Sequence, residues 1–185
     1  GLGGRVWEKL GATVTNMAAG EIFQALQSGT LDAAEFVGPY NDLALGFYQV
    51  AKNYYMPSFV EPGLATELVV DKKKYQELPD DLQAIIRDVS QAEYDQVASD
   101  FVANDPRALK TLVDDHGVIV RAFPDDIMEA GAKASVEVIE ELRNSDDPLV
   151  KKTTESFIEA LNLVRVRTET IDSPLVAARQ KYLKY

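Results

Sequence analysis

Between Ala12 and Phe59, short β-prone runs alternate with helical runs bounded by glycine or proline. Ala12–Met17, Leu31–Val37 and Asn53–Phe59 read as β segments. Gly20–Gly29 reads as a helix with Ile22, Phe23, Ala25 and Leu26 on its apolar face and a glycine stop. Gly38-Pro39 opens a second helix to about Lys52, with proline at a first-turn position that needs no N–H. Such alternation predicts an α/β fold, a parallel or mixed sheet with helices on its faces. Ahead of it, Gly1–Gly4 reads as a flexible entry and Val6–Leu10 as a short helix stopped by Gly11.

After Glu61-Pro62-Gly63 the character changes. Leu64–Val70 reads as one more strand, and most of the remaining chain is helical. Leu78-Pro79-Asp80 marks a helix start, and Leu82, Ile85, Ile86 and Val89 form an apolar stripe. Asn104-Asp105-Pro106 predicts a break, with a shorter helix to about Asp115. Val118–Val120 is a buried-strand candidate, Pro124–Arg143 a helix, and Ser145–Pro148 the capping signal of a terminal helix running to about 184. In that helix Phe157, Leu161, Val164, Thr168, Ile171 and Leu175 follow a 4-3-4-3-4 spacing. The spacing fits a seam for a partner helix or a helix lying on its own domain, and Pro174 threatens its continuity.

Composition excludes several functions. Lys and Arg number 19 against 30 Asp and Glu, a net charge of −11, so nucleic acid is an unfavourable partner and an anionic ligand needs a local, built site. Without cysteine there is no disulfide, thiolate metal site or thiol nucleophile, and a single His116 removes His-based triads and multi-His metal sites. A cysteine-free chain fits the cytoplasm or the bacterial periplasm. The opening Gly1-Leu2-Gly3-Gly4, with neither Met nor a secretory leader, reads as a processed or truncated product.

The best site candidate is Thr30–Tyr40, where a β segment ends and Gly38-Pro39 begins a helix. Alternating α/β proteins place ligands at such strand ends, and a helix N-terminus offers backbone donors to an anion. Glu35 lies in an apolar stretch, where burial requires a partner such as a cation; equally, it could face solvent at a strand edge. Glu61 is a second carboxylate at the end of a β segment, readable as part of a hard-cation site or as a turn residue. The paired aspartates at 80–81, 114–115, 125–126 and 146–147 read as helix caps and turns. A metal-dependent enzyme built on Glu35 and Glu61 is the poorest reading, because no nucleophile–base pair accompanies them.

Gly11-Ala12-Thr13 and Gly20-Glu21-Ile22-Phe23-Gln24-Ala25-Leu26-Gln27-Ser28-Gly29-Thr30-Leu31-Asp32-Ala33-Ala34-Glu35 resemble the extracytoplasmic solute-binding subunit of tripartite ATP-independent periplasmic (TRAP) transporters, the DctP-like family. The sequel Glu35–Tyr40, with Tyr54-Tyr55 and Glu61-Pro62-Gly63, is similar to the branch that binds 2-oxo acids such as pyruvate. The resemblance covers essentially the whole chain, but only the second half of a full member. It implies a type II periplasmic binding protein-like, two-lobed α/β fold, here its C-terminal half with a helical tail. Residues 1–60 would belong to the second ligand-binding lobe, 61–70 to the crossover, and 71–185 to a mostly helical part returning to the first lobe.

The resemblance also implies a function: capture of a small carboxylate in the periplasm for a membrane permease, without catalysis and with a Na+ or Ca2+ ion bridging protein and ligand. Glu35 would be a metal ligand that also meets the substrate. Phe36 would offer its carbonyl to the metal and its ring to the ligand, in place of the branch's usual Trp. Glu61 would be a further metal ligand. The arginine that clamps the ligand carboxylate would fall upstream of Gly1, and Arg5 is not its equivalent. The branch includes dimers that exchange C-terminal helices, which sets the partner-helix seam level with a helix lying on its own domain. The rival reading is a helix-mediated dimerisation module with no small-molecule site.

Overall fold

A computed structural model describes residues 1–61 and 67–183, which fall into two compact units, Val14–Met128 and Gly1–Thr13 with Glu129–Tyr185. Among the described residues no helix is long and apolar enough to cross a membrane.

Unit Val14–Met128 begins with α2 (Ala19–Ser28), following α1 (Leu2–Lys9) of the other unit. Gly29 ends α2 at φ 73°, the left-handed stop its residue type predicts. Then come α3 (Pro39–Ala44), a 3-10 turn (Phe47–Gln49), β1 (Asn53–Tyr55), α4 (Lys72–Gln76), α5 (Asp80–Asp114) and β2 (Ile119–Arg121). The two strands pair in parallel with Tyr54 opposite Val120. Tyr75 of α4 donates its hydroxyl to the Gln83 carbonyl at 3.1 Å, holding α4 to α5. The core of this unit is Ile22, Phe47, Ala108, Leu112 and Val118.

Three expectations are corrected here. Ala12–Met17, Leu31–Val37 and residues 67–70 are not strands, and of Asn53–Phe59 only the first three residues form a strand, with the Met56 N–H adding one bond to the Arg121 carbonyl; residues 64–66 lie outside the described ones. Apolar alternation marks a segment that could pair, but a strand exists only where a neighbour takes its N–H and C=O groups. The helix expected from Pro39 to about Lys52 stops at Ala44, where Gly46 turns left-handed at φ 73°. Asn104-Asp105-Pro106 does not break α5, which runs on for 35 residues with Pro106 inside it.

In the other unit, α1 starts at Leu2, so Gly3 and Gly4 are helical rather than a flexible entry. It is tied to α6 (Asp125–Arg143) by Lys9 Nζ, 2.7 Å from Glu141 and 3.1 Å from Glu137, and by an Arg5–Glu141 pair. Val6, Ala134 and Val138 are its buried apolar residues, and the buried Thr154 of the later helix donates its hydroxyl to the Val150 carbonyl. Asp147 caps α7 (Pro148–Arg167) through the Leu149 N–H at 2.8 Å, as Ser145–Pro148 predicts. A π-helical turn (Thr168–Asp172) joins α7 to α8 (Ser173–Tyr182). The seam residues Phe157, Leu161, Val164, Thr168, Ile171 and Leu175 are all exposed.

Candidate functional site

Leu31–Val37, an irregular connection, delivers Glu35 and Phe36 to the start of α3. The half-buried Phe36 ring packs edge-on against Phe47, with centroids 5.8 Å apart, anchoring the connection to the core. Glu35 remains exposed beside it. Its carboxyl is held above the ordinary range by partial burial, then by the Glu61 carboxylate, then by Asp42. The structure thus brings Glu35 and Glu61 into each other's field.

One donor at the N-terminus of α3 is already taken. Asp105, on α5, accepts the Tyr40 N–H at 3.0 Å, and the Tyr40 ring packs edge-on against Phe101 at 6.0 Å. The chain's own carboxylate satisfies a donor that would otherwise be offered to a ligand. Gly38 belongs to this contact: a Cβ there would come within 3.3 Å of Asp105 Oδ1.

Sequence reasoning passed over Asp42. It lies in the first turn of α3 and is only 8% exposed. Its Oδ2 accepts the Tyr54 hydroxyl at 2.5 Å, while Oδ1 is buried with no hydrogen-bond partner. Burial raises the Asp42 pKa, the Tyr54 bond opposes this, and Asp105 adds to the rise. Burial and the Asp42 carboxylate hold the Tyr54 phenol far above its ordinary range, so it remains a donor. The signal was available: Asn41-Asp42 sits between Pro39 and Phe47 in an apolar turn, where an acid needs an assigned partner.

The donor set suits a hard cation. Two carboxylates and the Phe36 backbone carbonyl are oxygen ligands of the kind Na+ and Ca2+ take. Among the described residues no group of three acidic or histidine side chains could hold a metal ion, so such an ion would also need oxygens from outside that group. A groove lined by Val70, Tyr75, Leu78 and Ile86 lies in the same unit and contains neither Glu35 nor Glu61.

Residues 1–146 match the model of bacterial extracellular solute-binding protein family 7, and the chain belongs to that family. It is 34% identical over 146 residues to the monocarboxylate 2-oxoacid-binding periplasmic protein of Nostoc sp., covering 79% of this chain and 40% of that relative. A TRAP periplasmic solute-binding protein from Colwellia psychrerythraea, solved with bound calcium and pyruvate, superposes with a TM-score of 0.89 at 34% identity over 96% of this chain and 54% of that one. One from Pseudoalteromonas atlantica, with bound sodium and pyruvate, gives 0.87 at 33% identity over the same shares, 96% and 54%. The chain therefore has the type II periplasmic binding protein-like fold and spans about half the length of these solved chains.

Proposed function

We propose that the protein is the substrate-binding subunit of a TRAP transporter, capturing a 2-oxo acid such as pyruvate in the periplasm for a membrane permease, with a cation bridging protein and ligand. The observation that carries this reading is the repulsion that the Glu61 carboxylate, and after it Asp42, exerts on Glu35, added to the partial burial of its carboxyl. A cation relieves that repulsion and presents positive charge to an organic carboxylate. Glu35 and Glu61 would hold it with the Phe36 carbonyl, and the Phe36 ring, fixed by Phe47, would face the ligand's apolar part. The solved relatives carry calcium or sodium together with pyruvate, which supports both ion classes and the ligand class. Capture rather than catalysis is the role this reading gives the chain, as its membership of a solute-binding family supports.

The test is thermal denaturation of the full-length protein with pyruvate in the presence of Ca2+ or Na+. Ligand at a hundredfold excess over Kd should add about 2.7 kcal/mol of stability. Glu35→Gln should weaken binding at least about tenfold by removing a charged ligand of the ion. Unchanged affinity removes Glu35 from the site, and no shift with any small carboxylate overturns the transport reading.

A second reading is compatible with the first: the C-terminal helix joins two copies of the protein. The exposure of the whole seam from Phe157 to Leu175 favours it. Light scattering should give a dimer for the parent and a monomer for Leu161→Glu; equal masses exclude the seam as the interface.

A further inference from the structure

The start of α3 is held by a residue far away in the chain. Its N-cap, Gly38, has no side chain to offer, and the acceptor of the Tyr40 N–H is Asp105, 65 residues on, at 3.0 Å. A serine, aspartate or asparagine at position 38 would satisfy that donor locally and would suffice to cap a six-residue helix. Glycine instead leaves the space that the distant carboxylate fills: a Cβ on Gly38 would lie 3.3 Å from Asp105 Oδ1 and 3.6 Å from Oδ2. Phe101, one turn earlier on α5, packs edge-on against the Tyr40 ring. The arm that carries both residues is firm, because Ala108 and Leu112 seat α5 in the core. What Asp105 achieves beyond capping is a tie between α5 and the connection that leads into α3.

That connection carries Glu35 and Phe36. A side chain can swing toward a ligand by changing rotamer, but a carbonyl points where its backbone dihedrals send it. Upstream, the Phe36 ring is fixed by Phe47. Downstream, Val37 is 45% exposed and Gly38 has no side chain, so neither anchors the chain. Pro39 is buried but has no N–H to donate; the Tyr40 N–H comes next, and Asp105 holds it. We propose that Asp105 is a positioning residue for the Phe36 carbonyl: its clamp on Gly38 and Tyr40 sets the direction in which that oxygen meets the bridging cation. This rests on the reading of Glu35 and the Phe36 carbonyl as ligands of such an ion. The role asks for an acceptor rather than a charge. Asparagine at position 105 would keep it, whereas alanine would free the connection and let water replace the carbonyl on the ion.

The experiment titrates the full-length protein, free of organic anion, with CaCl2 by calorimetry and with EuCl3, whose luminescence lifetimes in H2O and D2O count the waters on the ion. Eu3+ stands in for Ca2+ as a hard cation that takes oxygen ligands. Parent, Asp105→Ala, Asp105→Asn and Glu35→Gln are compared, with circular dichroism to establish that each is folded. Asp105→Ala should weaken Ca2+ about tenfold and add about one water to Eu3+. Asp105→Asn should stay within about twofold of the parent and add none. A water count in Asp105→Ala equal to the parent's, or an Asp105→Asn as weak as Asp105→Ala, overturns the proposal. A merely structural role would lower stability and leave the count unchanged. Should Asp105→Ala not fold, Asp105→Ser, whose side chain is one bond shorter, takes its place with the same expected readouts. Glu35→Gln separates this from the site itself. A parent that takes up neither ion, or a Glu35→Gln that binds as the parent does, sinks the ligand reading and the proposal with it. A weakened Glu35→Gln beside an unchanged Asp105→Ala sinks the role of Asp105 alone.

Discussion

Pro106 and Pro174 each lie within a long helical run, and the chain accommodates them differently. At Pro106 the helix α5 continues unchanged, and the cost is met by tertiary packing. Phe101 and Asp105 just before the proline engage α3, and Ala108 and Leu112 just after it are buried in the core. The ring removes the bond to the Val102 carbonyl, but Val102 is 78% exposed, so water can take that carbonyl. Around Pro174 none of the described side chains of the π-turn or of α8 is buried. The chain widens into the π-turn Thr168–Asp172, and the proline falls in the first turn of a new helix, where it is tolerated. Side-chain bonds from Arg165 to Glu169 at 2.7 Å and from Thr170 to the Val166 carbonyl at 2.6 Å keep the run helical. Burial can hold a helix through a breaker; without burial the backbone must change its period.

The comparison breaks most easily at its energetic end. Leu112 is 2% exposed and Leu161 is 48% exposed, although both occupy apolar helix positions. Leu112→Ala should cost about 3 kcal/mol in urea denaturation, the transfer and cavity terms of a filled core site. Leu161→Ala in dilute protein should cost no more than about 0.5 kcal/mol, because its side chain is already half in solvent. A cost at Leu161 that matches Leu112 and grows with protein concentration would show that the exposed helix is buried in an assembly instead.

The same contrast explains what the sequence could and could not say. The helix ends that were legible have local causes, a left-handed glycine at Gly29 and a side-chain cap at Asp147, whereas the end of α3 and the continuity of α5 through Pro106 were misread. Strands were over-read because pairing is a property of two segments, and Leu31–Val37 finds no partner among the described residues. The clean stripe of α5 was legible as a pattern, yet Leu82, Ile85 and Val89 are exposed, since a pattern states what can be buried and not what is. At the site, Glu35 stood out through its apolar neighbours and Glu61 as a second carboxylate at the end of an expected β segment, and the family resemblance gave both the role of metal ligands. Asp42 was missed because its meaning lies in Tyr54 on β1 and in Asp105 on α5, neither of which periodicity links to it.

A smaller effect separates the two prolines directly. Pro106→Ala restores the N–H that reaches the Val102 carbonyl and removes the ring clash, which together cost up to about 3 kcal/mol in a helix interior. Alanine gives back some of that gain, because proline restricts the unfolded chain by about 1 kcal/mol. A net stabilisation on the order of 1 kcal/mol in urea denaturation is therefore expected, with α3 still docked through Asp105. Pro174→Ala should gain only a few tenths, because that proline already sits where its missing N–H is harmless. The two variants also differ in kind. Relaxing the π-turn to an α-helix would rotate Leu175 relative to Phe157 and shift the exposed seam, whereas Pro106→Ala leaves the register of Ala108 and Leu112 fixed by the core. Equal gains at the two sites would mean that α5 meets its proline by the same local adjustment as the C-terminal helix, and that the packing of α3 contributes nothing to it.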